Sequence, residues 1–177
     1  EGGYTQCPHE PCLFKRRKVI NGKEEWSIVT IYVDDCLHIY KSDQGNSSRI
    51  RAELYTAMRN AKLPTPVVQE LNLANHISYL GINIQMVGAG KLILSQPGYI
   101  KEILKQYKPK KGYATPSTQD IFKRPESELI GEPVDITEYL SKLMKLMFLA
   151  TRTRPDLLLT VSALATKCKG PNEHDMN

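Results

Sequence analysis

Cysteine is scarce in this chain, and the four present do not build a framework: Cys7, Cys12, Cys36 and Cys168. Cys7, His9 and Cys12 form a compact cluster, but a structural zinc site normally needs a second matched pair, and none follows at suitable spacing. The thiols are therefore expected to be free, in a reducing compartment. Long apolar runs are missing too. The most apolar stretch, Leu140 to Ala165, is interrupted by Lys142, Lys145, Arg152, Arg154, Pro155 and Asp156, which excludes a membrane span. The first apolar run comes too late for a secretory leader, so a cytoplasmic or nuclear location is expected. There is no internal repeat.

Within those limits, 177 residues suffice for one ordinary domain or for pieces of two. A hydrophobic fraction of 41% is compatible with a packed core, and a mean hydropathy of -0.38 fits a soluble one. Basic residues outnumber acidic ones by 24 to 19, for a net charge of +5 and a pI near 9.0. That excess suits a polyanionic partner without demanding one.

Tyr32-Val33-Asp34-Asp35 is the most informative element. It separates two apolar runs, Trp26 to Val33 and Cys36 to Tyr40, both β-branched and aromatic enough to be strands with little exposure on either face. So short a polar element between strands reads as a β-hairpin with the acid pair at its tip. Two charges placed there need water or a cation. A divalent ion that must also hold phosphate oxygens suits them, because magnesium prefers carboxylate oxygen and usually takes few ligands from protein. Aspartate is also a common turn residue, so the tetrapeptide alone leaves a plain turn open.

Asn21-Gly22 is a turn signal between two earlier strands, which makes the first forty residues an antiparallel meander. The basic run Lys15 to Lys18 reads as a solvated hairpin edge. A helix capped by Ser47 or Ser48 and running to about Lys62 follows from the apolar spacing of Ile50, Leu54, Ala57, Met58 and Ala61, with Pro64 and Pro66 ending it. Strand character returns from Ile77 to Met86, with Gly81 inside the strand as a bulge or a close approach to another backbone or ligand. Gly88-Ala89-Gly90 turns the chain into a strand from Lys91 to Leu94. Ser95 is the expected cap of a helix with Ile100, Ile103, Leu104 and Tyr107 as its buried stripe and Lys101, Lys105 and Lys108 on the other face, Lys110 and Lys111 following. Thr115 to Val134, rich in proline and acid, reads as a linker. Two helices close the chain, about Ile136 to Ala150 and Pro155 to Lys167, with Thr153 a possible cap of the second. Strands first and helices last predict an α+β fold.

Several separated segments resemble one family, the reverse transcriptase of copia-type long-terminal-repeat retrotransposons. Gly3-Tyr4-Thr5-Gln6 and Glu10-Pro11-Cys12-Leu13-Phe14 are similar to the segment before the catalytic hairpin, and Tyr32-Val33-Asp34-Asp35 to the hairpin itself. Tyr79-Leu80-Gly81-Ile82 resembles the strand that holds the primer end. Leu94-Ser95-Gln96 and Tyr99-Ile100 resemble the start of the thumb helix; Thr115-Pro116 and Thr153-Arg154-Pro155-Asp156 resemble steps toward the ribonuclease H domain.

The resemblance implies an incomplete palm over residues 1-94, with catalytic and primer-grip hairpins, followed by thumb helices and the start of a connection over 95-177. It implies Asp34 and Asp35 as catalytic ligands of Mg2+ or Mn2+, and Tyr32, Val33, Tyr79, Leu80 and Gly81 as primer contacts, with strand packing equally open for Tyr32 and Val33. Lys101, Lys105 and Lys108 are either phosphate contacts on a template–primer duplex or an ordinary solvated face. The partners implied are an RNA or DNA template–primer and nucleoside triphosphates. In the family a further aspartate, on an earlier strand, completes the metal site, so the chain is expected to be inactive alone. It is also expected to fold poorly and self-associate, through an unpaired edge of the Trp26 to Val33 strand. The alternatives are a relic or domesticated fragment that binds nucleic acid or protein, and an unrelated α+β domain.

Overall fold

Asn21 and Gly22 both have positive φ, 53° and 73°, the pattern of a type I′ turn. A two-residue turn of that kind fixes register, and Ile20 accordingly faces Lys23. The computed structural model describes residues 3–41, 47–63, 67–109, 112–117, 121–122 and 132–176. In it the chain divides into two compact units, Glu1–Glu70 and Leu71–Asn177.

The first unit is a four-stranded antiparallel meander: β1 (Thr5–Cys7), β2 (Glu10–Ile20), β3 (Lys23–Tyr32) and β4 (Asp35–Tyr40), in that spatial order. β3 is therefore a central strand, paired with β2 on one side and β4 on the other. This overturns the unpaired edge expected for Trp26 to Val33, since β2 and β4 supply both neighbours locally.

Helix α1 (Ser47–Asn60) lies against this sheet, with Ile50 fully buried and Leu54 nearly so. Ser47 is its first residue. Its end is a Schellman arrangement: Lys62 turns left-handed at φ 57°, with Leu63 N–H donating to Met58 O and Lys62 N–H to Arg59 O. Pro64 and Pro66, expected to stop the helix, lie outside the described residues.

Alternation along β3 buries Glu25, Ser27 and Val29. Cross-strand pairing adds Arg16 and Lys18 from β2 and His38 from β4 to that same face. The face toward α1 is thus unusually polar. The opposite face carries Trp26, 38% exposed, and Ile39, 48% exposed, so the expectation of two covered faces fails. The basic run splits the same way: Lys15 and Arg17 point outward while Arg16 is only 6% exposed, because successive strand residues take opposite faces.

In the second unit β5 (His76–Tyr79), β6 (Ile82–Gly88) and β7 (Lys91–Ser95) form a three-stranded antiparallel sheet. Its first turn, Leu80-Gly81, lies where one continuous strand was expected. Helix α2 (Pro97–Tyr107) starts with proline in its first turn and Gln96 at its cap; Ser95 is the last strand residue instead. Its apolar stripe is not buried: Leu104 is 50% exposed, and Tyr99 instead makes an edge-on contact with Phe148.

The unit's core is built by α3 (Ile136–Arg152) and α4 (Leu158–Ala165), the latter preceded by one 3-10 turn over Pro155–Leu157. Tyr139, Leu143, Ala150 and Val161 cluster there, and the Tyr139 hydroxyl donates to Leu164 O at 2.8 Å. Burial of each larger apolar side chain contributes about 1.5–3 kcal/mol. Asp135 caps α3 by accepting from Thr137 N–H at 2.8 Å. Arg154, not Thr153, precedes the 3-10 turn, and the Thr153 hydroxyl donates to Gln96 Oε1. A four-residue helix, α5 (Glu173–Met176), follows, and an isolated bridge joins Pro133 to Asn172. Most of the expected linker from Thr115 to Val134 lies outside the described residues, as do Lys110 and Lys111. Antiparallel sheets with several helices make the protein α+β, and no helix among the described residues is long and apolar enough to cross a membrane.

Candidate active site

β3 and β4 close on the pair Tyr32–Asp35, leaving Val33 and Asp34 as a two-residue turn. Only Val33 has positive φ, at 54°, which is the pattern of a type II′ rather than a type I′ turn. Glycine is the residue suited to that position; valine, branched at Cβ, is strained there. The strain is not offset by packing, because Val33 is 86% exposed.

Expected strain of this kind is measurable. Val33→Gly should raise stability by roughly 0.5–1 kcal/mol, the relief of the left-handed backbone less glycine's larger loss of freedom on folding. Urea unfolding reads it directly, and an unchanged or lower midpoint would show that the turn stores no strain.

Asp34 and Asp35 are both exposed. Asp35 opens β4 opposite Tyr32, on the face that carries Trp26, away from α1. Among the described residues, neither carboxylate has a side-chain hydrogen bond or ion pair. Two hard, uncommitted oxygen donors on adjacent residues fit a divalent cation such as Mg2+. No group of three or more His, Cys, Asp or Glu among the described residues is arranged to hold a metal. Burial pushes the thiol pKa of neighbouring Cys36 up, which favours the protonated form.

The remaining expected site residues fall in the second unit. Tyr79 pairs with Ile82, and Leu80 and Gly81 form the turn between them, both at positive φ, 50° and 77°. Gly81 thus sits at a hairpin tip rather than inside a strand, and its φ explains the glycine. A Cβ there would meet nothing within 4 Å, so close backbone approach within the protein is not its reason. Lys101, Lys105 and Lys108 are all exposed, the first two on α2 and Lys108 as its left-handed C-cap at φ 42°.

Two polar clusters in the first unit escaped sequence reading. In one, the Tyr4 hydroxyl lies 2.6 Å from Ser27 Oγ, which lies 3.1 Å from His38 Nε2, with the Arg16 guanidinium 5.1 Å from the Tyr4 ring centre. Burial, with help from the Arg16 charge, pushes the His38 pKa down to about 4. In the other, Arg16 and Arg49 both donate to Glu53, and Arg49 also pairs with Glu25. The signal for the first was strand register, which places Arg16 opposite Ser27 and Val29 opposite His38.

Comparison with protein-family models, with curated proteins and with solved structures finds no match for this chain.

Proposed function

We propose that this chain is a segment of a copia-type reverse transcriptase, an RNA-directed DNA polymerase, and that it does not polymerise alone. The observation that supports this reading is the β3–β4 tip. An exposed tyrosine, a strained valine and two uncommitted carboxylates stand at the end of two paired strands. Strained backbone at an exposed position is characteristic of functional sites. In this reading Asp34 and Asp35 hold Mg2+ or Mn2+, which would neutralise charge on the phosphates during transfer. Tyr32 and Val33 lie beside the primer end, and the second hairpin, through Tyr79, Leu80 and Gly81, contacts the primer strand.

Two-metal phosphoryl transfer needs more carboxylate than this pair. The chain alone, given a primed RNA template, nucleotides and Mg2+ or Mn2+, should therefore yield no primer extension. The full polypeptide that its gene encodes should extend the primer, and Asp34→Asn there should abolish extension. Extension that survives Asp34→Asn sinks the assignment of the site. A full polypeptide that binds duplex without extending it favours the second reading, a relic or domesticated nucleic-acid-binding fragment.

A further inference from the structure

The sheet face turned away from α1 leaves large side chains in water, with Trp26, Ile39 and Tyr32 all exposed. Register sets what lies between them. Ile28 of β3 has Lys15 of β2 on one side and Ile39 of β4 on the other, and Thr30 likewise has Leu13 and Leu37. The middle of the face is therefore mostly apolar, and its two ends differ in charge. At the Trp26 end stands Lys41, whose backbone N–H donates to Trp26 O at 3.0 Å. At the Tyr32 end stand Asp34 and Asp35. Arg17, opposite Trp26, is neutralised by its ion pair with Glu24. Lys41 makes no ion pair among the described residues, although its charge is felt at Glu24.

We infer that a second copy of this chain docks on this face, the two sheets stacking about a twofold axis that passes over Val29. Such an axis lies between the sheets and across the strands. It reverses strand direction and sets each strand over its own counterpart. Val29 is midway between Trp26 and Tyr32, so the pattern of the face maps onto itself. Trp26 meets Tyr32 of the second copy, Ile28 meets Thr30, and Ile39 meets Leu37. Lys41 stands over the acid tip, and every contact occurs twice. Stacked sheets lie about 10 Å apart and within about 30° of parallel. That rotation moves the ends by about one strand spacing, which a lysine side chain spans, so Lys41 reaches Asp34 or Asp35 of the second copy. The charges select this occupant. A polyanion would meet Lys41 at one end and two carboxylates at the other, whereas a reversed second copy brings each end to its complement. Three strands supply fewer side chains than the roughly 20–30 of a standard interface, so the dimer is weak, with a Kd of about 10–100 µM.

Sedimentation equilibrium of the full chain, from about 1 to 300 µM, reads the association. A closed monomer–dimer equilibrium is expected, since a twofold contact uses up the face it needs. Lys41→Glu should weaken the dimer about tenfold, because each dimer holds the pair twice and reversal turns attraction into repulsion. Asp35→Lys should weaken it by a similar factor. The double variant Lys41→Glu/Asp35→Lys should return to within about threefold of wild type, because the exchanged charges again attract. Ile39→Lys places an unpaired charge in the middle of the face and should leave a monomer throughout. Circular dichroism shows which variants fold, and the charge variants, at exposed ends, read the interface even if Ile39→Lys unfolds. A wild-type chain that stays monomeric would overturn the proposal. So would a dimer indifferent to Ile39→Lys and to both charge reversals, which puts the contact elsewhere, such as the outer edge of β4. Open-ended association beyond the dimer would overturn it as well. The readout is mass rather than primer extension, so failure here is distinct from failure of the polymerase reading.

Discussion

Mild acid should destabilise the first unit well before its carboxylates protonate. His38 has a folded pKa of about 4 against 6.5 when unfolded. The unfolded chain therefore binds the proton more readily, and stability falls as pH drops from about 6.5 toward 4, then levels off. The groups facing His38 define the effect. Ser27 Oγ lies at 3.1 Å from β3, the Tyr40 ring at 4.8 Å from β4, and the Arg16 charge acts from β2. Full linkage would amount to about 2 kcal/mol by pH 5, and about 1 kcal/mol after allowing for partial solvent exposure. Glu53 works in a different window. Burial acts to raise its pKa, but hydrogen bonds from Arg16 and Arg49 outweigh that and hold it below the usual value, so its contribution is lost only at lower pH. Urea unfolding at pH 7.5 and at pH 5 separates the two. Wild type should lose stability over this interval, and His38→Gln, which cannot titrate, should lose much less. A wild-type midpoint that is flat between these pH values would show that His38 is not held neutral by its surroundings.

That histidine was visible in the sequence only as one member of an apolar run. The means to place it were nevertheless present. Asn21-Gly22 dictates that Ile20 faces Lys23, and each pair farther from the turn follows, so Arg16 must oppose Ser27. The Val33-Asp34 turn does the same for Val29 and His38. Register thus carries the polar face beneath α1, which composition and periodicity do not reveal. The second sheet was less legible for a physical reason. Leucine rarely adopts positive φ, so Leu80-Gly81 carries no ordinary turn signature, and the glycine read as a bulge. Helix α2 shows a different limit. Periodicity identifies its apolar stripe, Ile100, Ile103, Leu104 and Tyr107, but cannot say whether anything covers it, and Leu104 remains half exposed. The acid pair was legible because a hairpin tip needs few neighbours to define it.

The lysines of α2 should account for most of the salt dependence of any duplex binding. Lys101 and Lys105 stand one helical turn apart, and Lys108 follows at the C-cap, all three exposed. Lys142 and Lys145 differ, since both sit over the Tyr107 ring at 5.1 Å and 5.3 Å and Lys145 also donates to Gln106. Those two are already committed to joining α2 and α3, whereas the three exposed lysines give up little to meet phosphate. Each phosphate neutralised contributes about -0.9 to the slope of log affinity against log salt on duplex, so three contacts contribute about -2.7. Between 50 and 200 mM salt that is roughly a fortyfold change in affinity. Replacing Lys101, Lys105 and Lys108 with glutamine should flatten the slope by two to three units. Glutamine is nearly as good a helix former as lysine, so the helical content should hold. Fluorescence anisotropy with a labelled duplex across a salt series gives both quantities, with circular dichroism as the check on α2. Binding should be weak and indifferent to sequence, because phosphate contacts position a duplex without reading its bases. A triple variant that keeps both affinity and slope would make these lysines an ordinary solvated face and leave duplex binding to other residues.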